Sequence, residues 1–125
     1  MRLLLDTHVL LWSLADSPEL SPDLRGKIVD PANDVFVSAA SVWEIAIKQR
    51  LGKLAAPDNL LEVIEACDFT PLPINFAHAV AAGTLPPHHD DPFDRMLIAQ
   101  ARDEGLVLAT RDRRFGAYRI GLLKA

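Results

Sequence analysis

Short unbroken apolar runs alternate along the chain with longer stretches whose apolar residues recur at helical spacing. The first run, Leu3-Leu4-Leu5, ends in Asp6-Thr7 and has no polar interruption, the mark of a strand buried on both faces of a parallel sheet. His8–Ala15 follows, apolar nearly all round, and predicts a helix that is buried or covered by a partner. Ser21-Pro22 reads as an N-cap with proline at the first helical position, opening a helix to about Val29. After the turn residues Asp30–Asp34, Val35-Phe36-Val37 is a second strand, and a helix from about Ala39 to Leu51 stops at Gly52. A helix from about Asn59 to Cys67 comes next. Phe69–Ile74 is extended, and its prolines suit an edge strand.

Asn75 caps a predicted short helix over Phe76–Ala82 that ends at Gly83. Asp91-Pro92-Phe93-Asp94 then combines an N-cap aspartate, proline at the first position and an acid at the third, opening a helix that runs to Gly105. Leu106–Ala109 is another doubly buried strand, ending in Thr110-Arg111-Asp112, and a last short strand is expected near Tyr118–Ile120. Strands alternating with helices predict an α/β fold: a three-layer α/β/α sandwich around a central, mostly parallel sheet. No repeat, low-complexity segment or linker divides the chain, so residues 1–125 are expected to form a single domain.

Composition narrows the function classes. Half of the 125 residues are hydrophobic and 24% are charged, which excludes a disordered chain. The single cysteine, Cys67, permits no internal disulfide and shows no metal-ligand spacing, consistent with a reducing, cytoplasmic setting. No signal peptide is legible, and no stretch approaches the roughly 18 apolar residues that span a bilayer. A formal charge of −4 argues against non-specific coating of nucleic acid, yet is compatible with an enzyme that acts on it through metal-binding acids.

Four acids are candidates for such a site. Asp6 and Asp112 each follow an apolar strand and belong at the carboxyl edge of the sheet, where open α/β folds bind ligands. Glu44 sits near the start of the helix leaving the second strand, and Asp94 in the first turn of the helix leading to the Leu106 strand. Each has a plainer reading: Asp6 as a helix cap, Glu44 as a solvated helix residue, Asp94 as an acid favoured by the helix dipole, Asp112 as a turn residue. Asp91 fits the N-cap role and is left outside the set. Carboxylates forced together repel unless a cation or shared protons neutralise them, and hard oxygen ligands without convergent histidines or thiols favour Mg²⁺ or Mn²⁺ over zinc.

The stretches Leu4-Leu5-Asp6-Thr7-His8, Ser38–Ile45 (with Trp43-Glu44), Asp91-Pro92-Phe93-Asp94-Arg95 through Ala101, and Thr110-Arg111-Asp112 together resemble the PIN-domain family, specifically the ribonuclease toxins of VapBC toxin–antitoxin modules. The resemblance spans nearly the whole chain. It implies Mg²⁺- or Mn²⁺-dependent endonucleolytic cleavage of RNA, a cognate antitoxin that blocks it, and homodimers whose acidic pockets share a groove. It maps the acidic site onto Asp6, Glu44, Asp94 and Asp112, the last in a supporting role, with Thr110 helping to order it.

An acidic pocket must still attract RNA. Lys48, Arg50, Lys53, Arg95, Arg111, Arg113 and Arg114 are candidate phosphate contacts, with Arg95 and Arg111 favoured because each adjoins an acid; Thr110 is carried with them as a substrate contact. His88 and His89 read first as loop residues, with a direct role in proton transfer or RNA contact as the alternative. Trp12 reads mainly as core, with one side free for a dimer contact or an antitoxin groove. Rival readings are a Mg²⁺-dependent phosphatase or receiver-like protein phosphorylated at Asp6, and a non-catalytic binding module. No P-loop, His-Glu-x-x-His or Gly-x-Ser-x-Gly motif is present.

Overall fold

The computed structural model describes residues 1–125. In chain order the elements are β1 (Arg2–Leu5), α1 (Thr7–Leu14), α2 (Pro22–Val29), β2 (Asp34–Ser38), α3 (Ala39–Arg50), α4 (Leu60–Ala66), β3 (Thr70–Leu72), α5 (Phe76–Thr84), α6 (Pro92–Glu104), β4 (Val107–Thr110), a 3₁₀ turn (Arg113–Ala117) and β5 (Leu122–Lys124). The five strands form one sheet in the order β3-β2-β1-β4-β5, and every pairing is parallel. The chain builds outward from β1 to β3 on one side, then crosses back to lay β4 and β5 on the other. The topological switch point therefore lies between the ends of β1 and β4.

Leu3, Leu4 and Leu5 are fully buried because β1 is central and both of its faces are covered. Alternation along the strand sends Leu3 and Leu5 to one core with Val9, Leu10, Leu24, Ile28, Ile45 and Ile64, from α1 to α4. Leu4 joins Leu97, Ile98, Ala101 and Leu108 in the other core, beneath α5 and α6. Three layers result: α1–α4, the sheet, and α5–α6.

Local chemistry sets the boundaries. Ser21 Oγ accepts the Leu24 amide at 3.2 Å with Pro22 behind it, and Asp91 Oδ1 accepts the amides of Phe93 and Asp94. Gly105 ends α6 in the left-handed conformation at φ 66°, where a side chain would be strained. Proline-bearing β3 is an edge strand.

Two expectations need correction. Helix α5 runs through Gly83 to Thr84, since a helix tolerates a glycine in its last turn. The last strand is Leu122–Lys124 and not Tyr118–Ile120: Phe115 and Tyr118 are buried by a 3₁₀ turn and the segment after it, while β5 pairs with β4. Apolar residues marked burial there, but the pairing strand lies farther on. No helix is long and apolar enough to cross a membrane.

Candidate active site

Beyond the carboxyl ends of β1 and β4 lies a cavity of about 430 Å³ lined by Asp6, Glu44, Asp91, Asp94 and Asp112. All four sequence-predicted acids meet here, together with Asp91, which also keeps its role as a cap.

Asp6 leaves β1 at the switch point and is almost wholly buried. Its Oδ1 caps α1 by accepting the Val9 amide at 2.8 Å, and its Oδ2 accepts the Thr110 hydroxyl at 2.5 Å. The cap and the site are one residue doing both. Thr110 Oγ1 also accepts the Asp112 amide at 3.0 Å, so one hydroxyl fixes two acids on neighbouring strands. Thr110 is buried and outside the cavity lining, its hydroxyl donating to one acid and accepting from the backbone of the other.

Glu44 is buried on the second turn of α3. Thr7 Oγ1 donates to its Oε1 at 2.5 Å, and Lys48 Nζ, one turn along the helix, pairs with its Oε2. Its position places Thr7 as the Glu44 donor, a role that sequence reading missed. Asp94 Oδ2 lies 3.1 Å from His89 Nε2. Asp112 is the most heavily bonded acid. Its Oδ1 accepts the Arg114 amide at 2.9 Å and Arg114 Nε at 3.1 Å, and its Oδ2 accepts Arg114 Nη2 at 2.8 Å and His89 Nε2 at 3.1 Å. A carboxylate has about four acceptor positions, so Asp112 is saturated while Asp6, Glu44 and Asp94 keep free ones. Asp112 thus braces the cavity, and the other three are left open to a ligand.

The electrostatics follow from this packing. Asp94 is pushed up to about 7, first by burial and then by Asp91, Glu44, Asp6 and Asp112. Burial likewise raises Asp6, against the opposing hydrogen bond from Thr110. Asp112 is lowered to about 2, chiefly by the Arg114 guanidinium. Lys48 is raised by its bond to Glu44. Crowded carboxylates, one of them half-protonated at neutrality, are a site that a cation would relieve. An almost purely oxygen donor set fits Mg²⁺ or Mn²⁺.

Of the predicted phosphate contacts, Lys48, Arg111 and Arg114 line the cavity; Arg50, Lys53 and Arg113 do not. Arg111 lies over the Trp12 ring at 4.3 Å and pairs with Glu19, whose backbone carbonyl it also meets. Trp12 is accordingly half-buried at the rim of the site. Arg95 is a correction. Its guanidinium donates to the carbonyls of Ala82, Leu85, Pro86 and His89 at 2.8–3.2 Å, fastening the loop ahead of α6 with four of its five N–H groups. Adjacent residues on a helix point about 100° apart, so Arg95 faces away from the cavity that Asp94 lines. His89, read as a loop residue first, is buried between Asp94 and Asp112; His88 stays outside, edge-on to Tyr118.

Comparison with known proteins assigns the chain to a family. The family model of the PIN domain matches residues 3–121. Ribonuclease VapC22 of Mycobacterium tuberculosis is 32% identical over 124 residues, spanning 93% of this chain and 91% of that protein. Among solved structures, DNA-bound VapBC from Salmonella typhimurium superposes with a TM-score of 0.73 at 19% identity, covering 99% of this chain and 98% of that one. A toxin–antitoxin complex from Klebsiella pneumoniae gives 0.66 at 20% identity, covering 96% and 94%. At those identities the solved structures speak for the fold alone. The family match over nearly the full chain, and a full-length relative, carry the assignment: the protein belongs to the PIN-domain family.

Proposed function

We propose that this protein is a metal-dependent endoribonuclease, the toxin of a type II toxin–antitoxin module, hydrolysing RNA phosphodiester bonds at the acidic cavity. The observation that carries the reading is the meeting of Asp6, Glu44, Asp94 and Asp112 in one cavity at the switch point. The relative named as a ribonuclease, aligned over 91% of its length, supports the RNA substrate.

Asp6, Glu44 and Asp94 are the residues to hold Mg²⁺ or Mn²⁺, which when bound supplies Lewis-acid stabilisation of charge on the phosphoryl oxygens. The chain's own groups do the rest. Thr110 and the Val9 amide aim Asp6, Thr7 and Lys48 aim Glu44, and Asp112 braces the wall beside Asp94. Lys48, Arg111 and Arg114 ring the cavity with positive charge that draws a phosphate toward acids otherwise repelling it. The PIN-domain match and the relative named as a ribonuclease favour cleavage of RNA over a phospho-acceptor role for Asp6.

The partners follow from the same reading. A cognate antitoxin is expected, supported by solved relatives that are VapBC and toxin–antitoxin complexes. An apolar trough of about 820 Å³ between α3 and α4, bordered by Val42, Trp43, Leu61 and Phe69, offers it a surface. A homodimer is supported by Phe76, 92% exposed, and Val80 one turn on along α5, with Trp43 also exposed. The cytoplasm is the compartment proposed.

The test uses purified, antitoxin-free protein. Mn²⁺ should raise its unfolding temperature, stabilising it by about 2.7 kcal/mol at 100 times the dissociation constant, and switch on RNA cleavage. Asp94→Asn should lose both. Metal-indifferent wild type, or undiminished cleavage by the variant, overturns the reading.

A further inference from the structure

The loop Pro86–Asp91 brings behind the lining acids Asp94 and Asp112 a buried residue that neither the acids nor the rim cations account for. We infer that His89 is a positioning residue: its Nε2–H is a shared donor that ties the open carboxylate of Asp94 to the braced carboxylate of Asp112, aiming Asp94 into the cavity. The inference rests on the reading of that cavity as a divalent-cation site.

Every polar group of His89 is engaged. Its ring is buried against Phe115, with centroids 5.4 Å apart. Its amide donates to Tyr118 Oη at 3.0 Å, and that hydroxyl donates in turn to the Pro86 carbonyl at 2.7 Å. The His89 carbonyl accepts from Arg95 at 3.2 Å. Ring Nδ1 accepts the Asp91 amide at 3.1 Å, and Nε2 lies 3.1 Å from Oδ2 of both Asp94 and Asp112.

These contacts fix the tautomer. A backbone N–H can only donate, so Nδ1 carries a lone pair and the ring proton sits on Nε2. That excludes His89 as a metal ligand in this arrangement, although Nε2 and the two carboxylates lie within 4.8 Å of one another: a coordinating nitrogen would need the lone pair that Nε2 lacks. A donor between two acids is what remains. Its effect passes through Asp112, which Arg114 and the Thr110-bonded amide hold in place at the end of β4. Asp94, on another element, is thereby referenced to β4 and to Asp6 beside it. The same contacts assign Arg95 and Tyr118 their work, since both clamp the backbone that presents the imidazole.

Three measurements test this. In metal-free wild type, ¹⁵N–¹H correlation of the histidine rings should show His89 neutral with its proton on Nε2; a proton on Nδ1 overturns the inference, whatever the metal does. Mn²⁺ affinity by calorimetry should fall about 10–100-fold in His89→Leu, which keeps bulk and removes the donor. His89→Gln, whose amide returns an N–H near the Nε2 position, should recover most of that loss. Leu and Gln variants that are equally impaired, or a folded His89→Leu with wild-type affinity, overturn it. So does nitrogen coupling from His89 in the electron-spin-echo spectrum of the Mn²⁺ form. Asp94→Asn run alongside separates the two readings: if wild type binds Mn²⁺, Asp94→Asn does not, and His89→Leu does, only the role of His89 falls. If wild type binds no Mn²⁺, the cation reading itself falls.

Discussion

A buried histidine faces two acids at each end of α6. At the amino end His89 lies between Asp94 and Asp112. At the carboxyl end His78 Nε2 lies 2.9 Å from Glu104 and 3.3 Å from Asp103. The parallel extends to the other nitrogen, for His78 Nδ1 accepts the Asn75 amide at 3.2 Å just as His89 Nδ1 accepts that of Asp91. The surroundings differ. Asp103 and Glu104 have side chains 47% and 35% exposed, against 21% and 24% for Asp94 and Asp112. They stand at the amino edge of the sheet, where Arg2 of β1 reaches the Glu104 carbonyl, and no other element brings an acid to them.

At that end the helix dipole opposes the acids, and His78 offsets it while completing the capping box of α5. This cluster is a stitch between two helices. At the other end the dipole favours Asp94, yet burial and then the other carboxylates outweigh it and lift that acid to about 7. A histidine with two acids is therefore not by itself a site. Convergence of further acids at the switch point makes it one.

The contrast can be broken by substitution. The largest effect is expected from Asp94→Asn, which should cut cleavage by at least the roughly 10–100-fold that loss of a mere supporting partner costs, while Asp103→Asn leaves cleavage unchanged; RNA turnover in Mn²⁺ checks both. Next comes the pH dependence of the metal-free protein. An acid raised on folding binds its proton more tightly in the native state, so Asp94 makes stability fall as pH rises from about 4 through about 7. Asp112, lowered to about 2, works the other way: its contribution is present above pH about 4 and lost as pH falls toward 2. Melting temperatures across pH should peak near 4, the decline above it should shrink in Asp94→Asn to the part that Asp6, also raised, contributes, and saturating Mn²⁺ should remove it in wild type.

A smaller loss is expected at the stitch. His78→Leu deprives the Asn75 amide of its acceptor and should cost about 1–3 kcal/mol in denaturant titrations with Mn²⁺ affinity intact. Thr110→Val should cost about as much or less, and Asp6, without the hydrogen bond that lowers it, should titrate higher still by carboxyl NMR. The smallest effect is on binding. Arg114→Ala should reduce the salt slope of RNA binding by about one, whereas Arg95→Ala should lower stability and leave the slope alone.

Much of this was legible in the residues because it is local. Leu3-Leu4-Leu5 announces a doubly covered strand, Asp91-Pro92 opens a helix, and Asp6 and Asp112 each follow such strands. What escaped depends on partners distant in sequence. The neighbours of His89 lie up to 29 residues away, at Asp112 and Tyr118, and no periodicity encodes them. Arg95 was misjudged because adjacency along a helix is not adjacency in space. The last strand was misplaced because Phe115 and Tyr118 are apolar for the sake of the wall behind His89, and burial by itself does not distinguish a strand from a turn.

The bond from Thr110 to Asp6 joins residues 104 apart in sequence. During translation, Asp6 therefore emerges long before the strand and hydroxyl that complete its surroundings, and Asp112 and Arg114 arrive later still. Contacts of such separation form only after the intervening chain has collapsed. A nascent chain that has not yet delivered β4 holds Asp6 and Glu44 with half a cavity. The ribosome that makes this protein must pass the codon for Arg114 before its product has an assembled site with which to attack RNA.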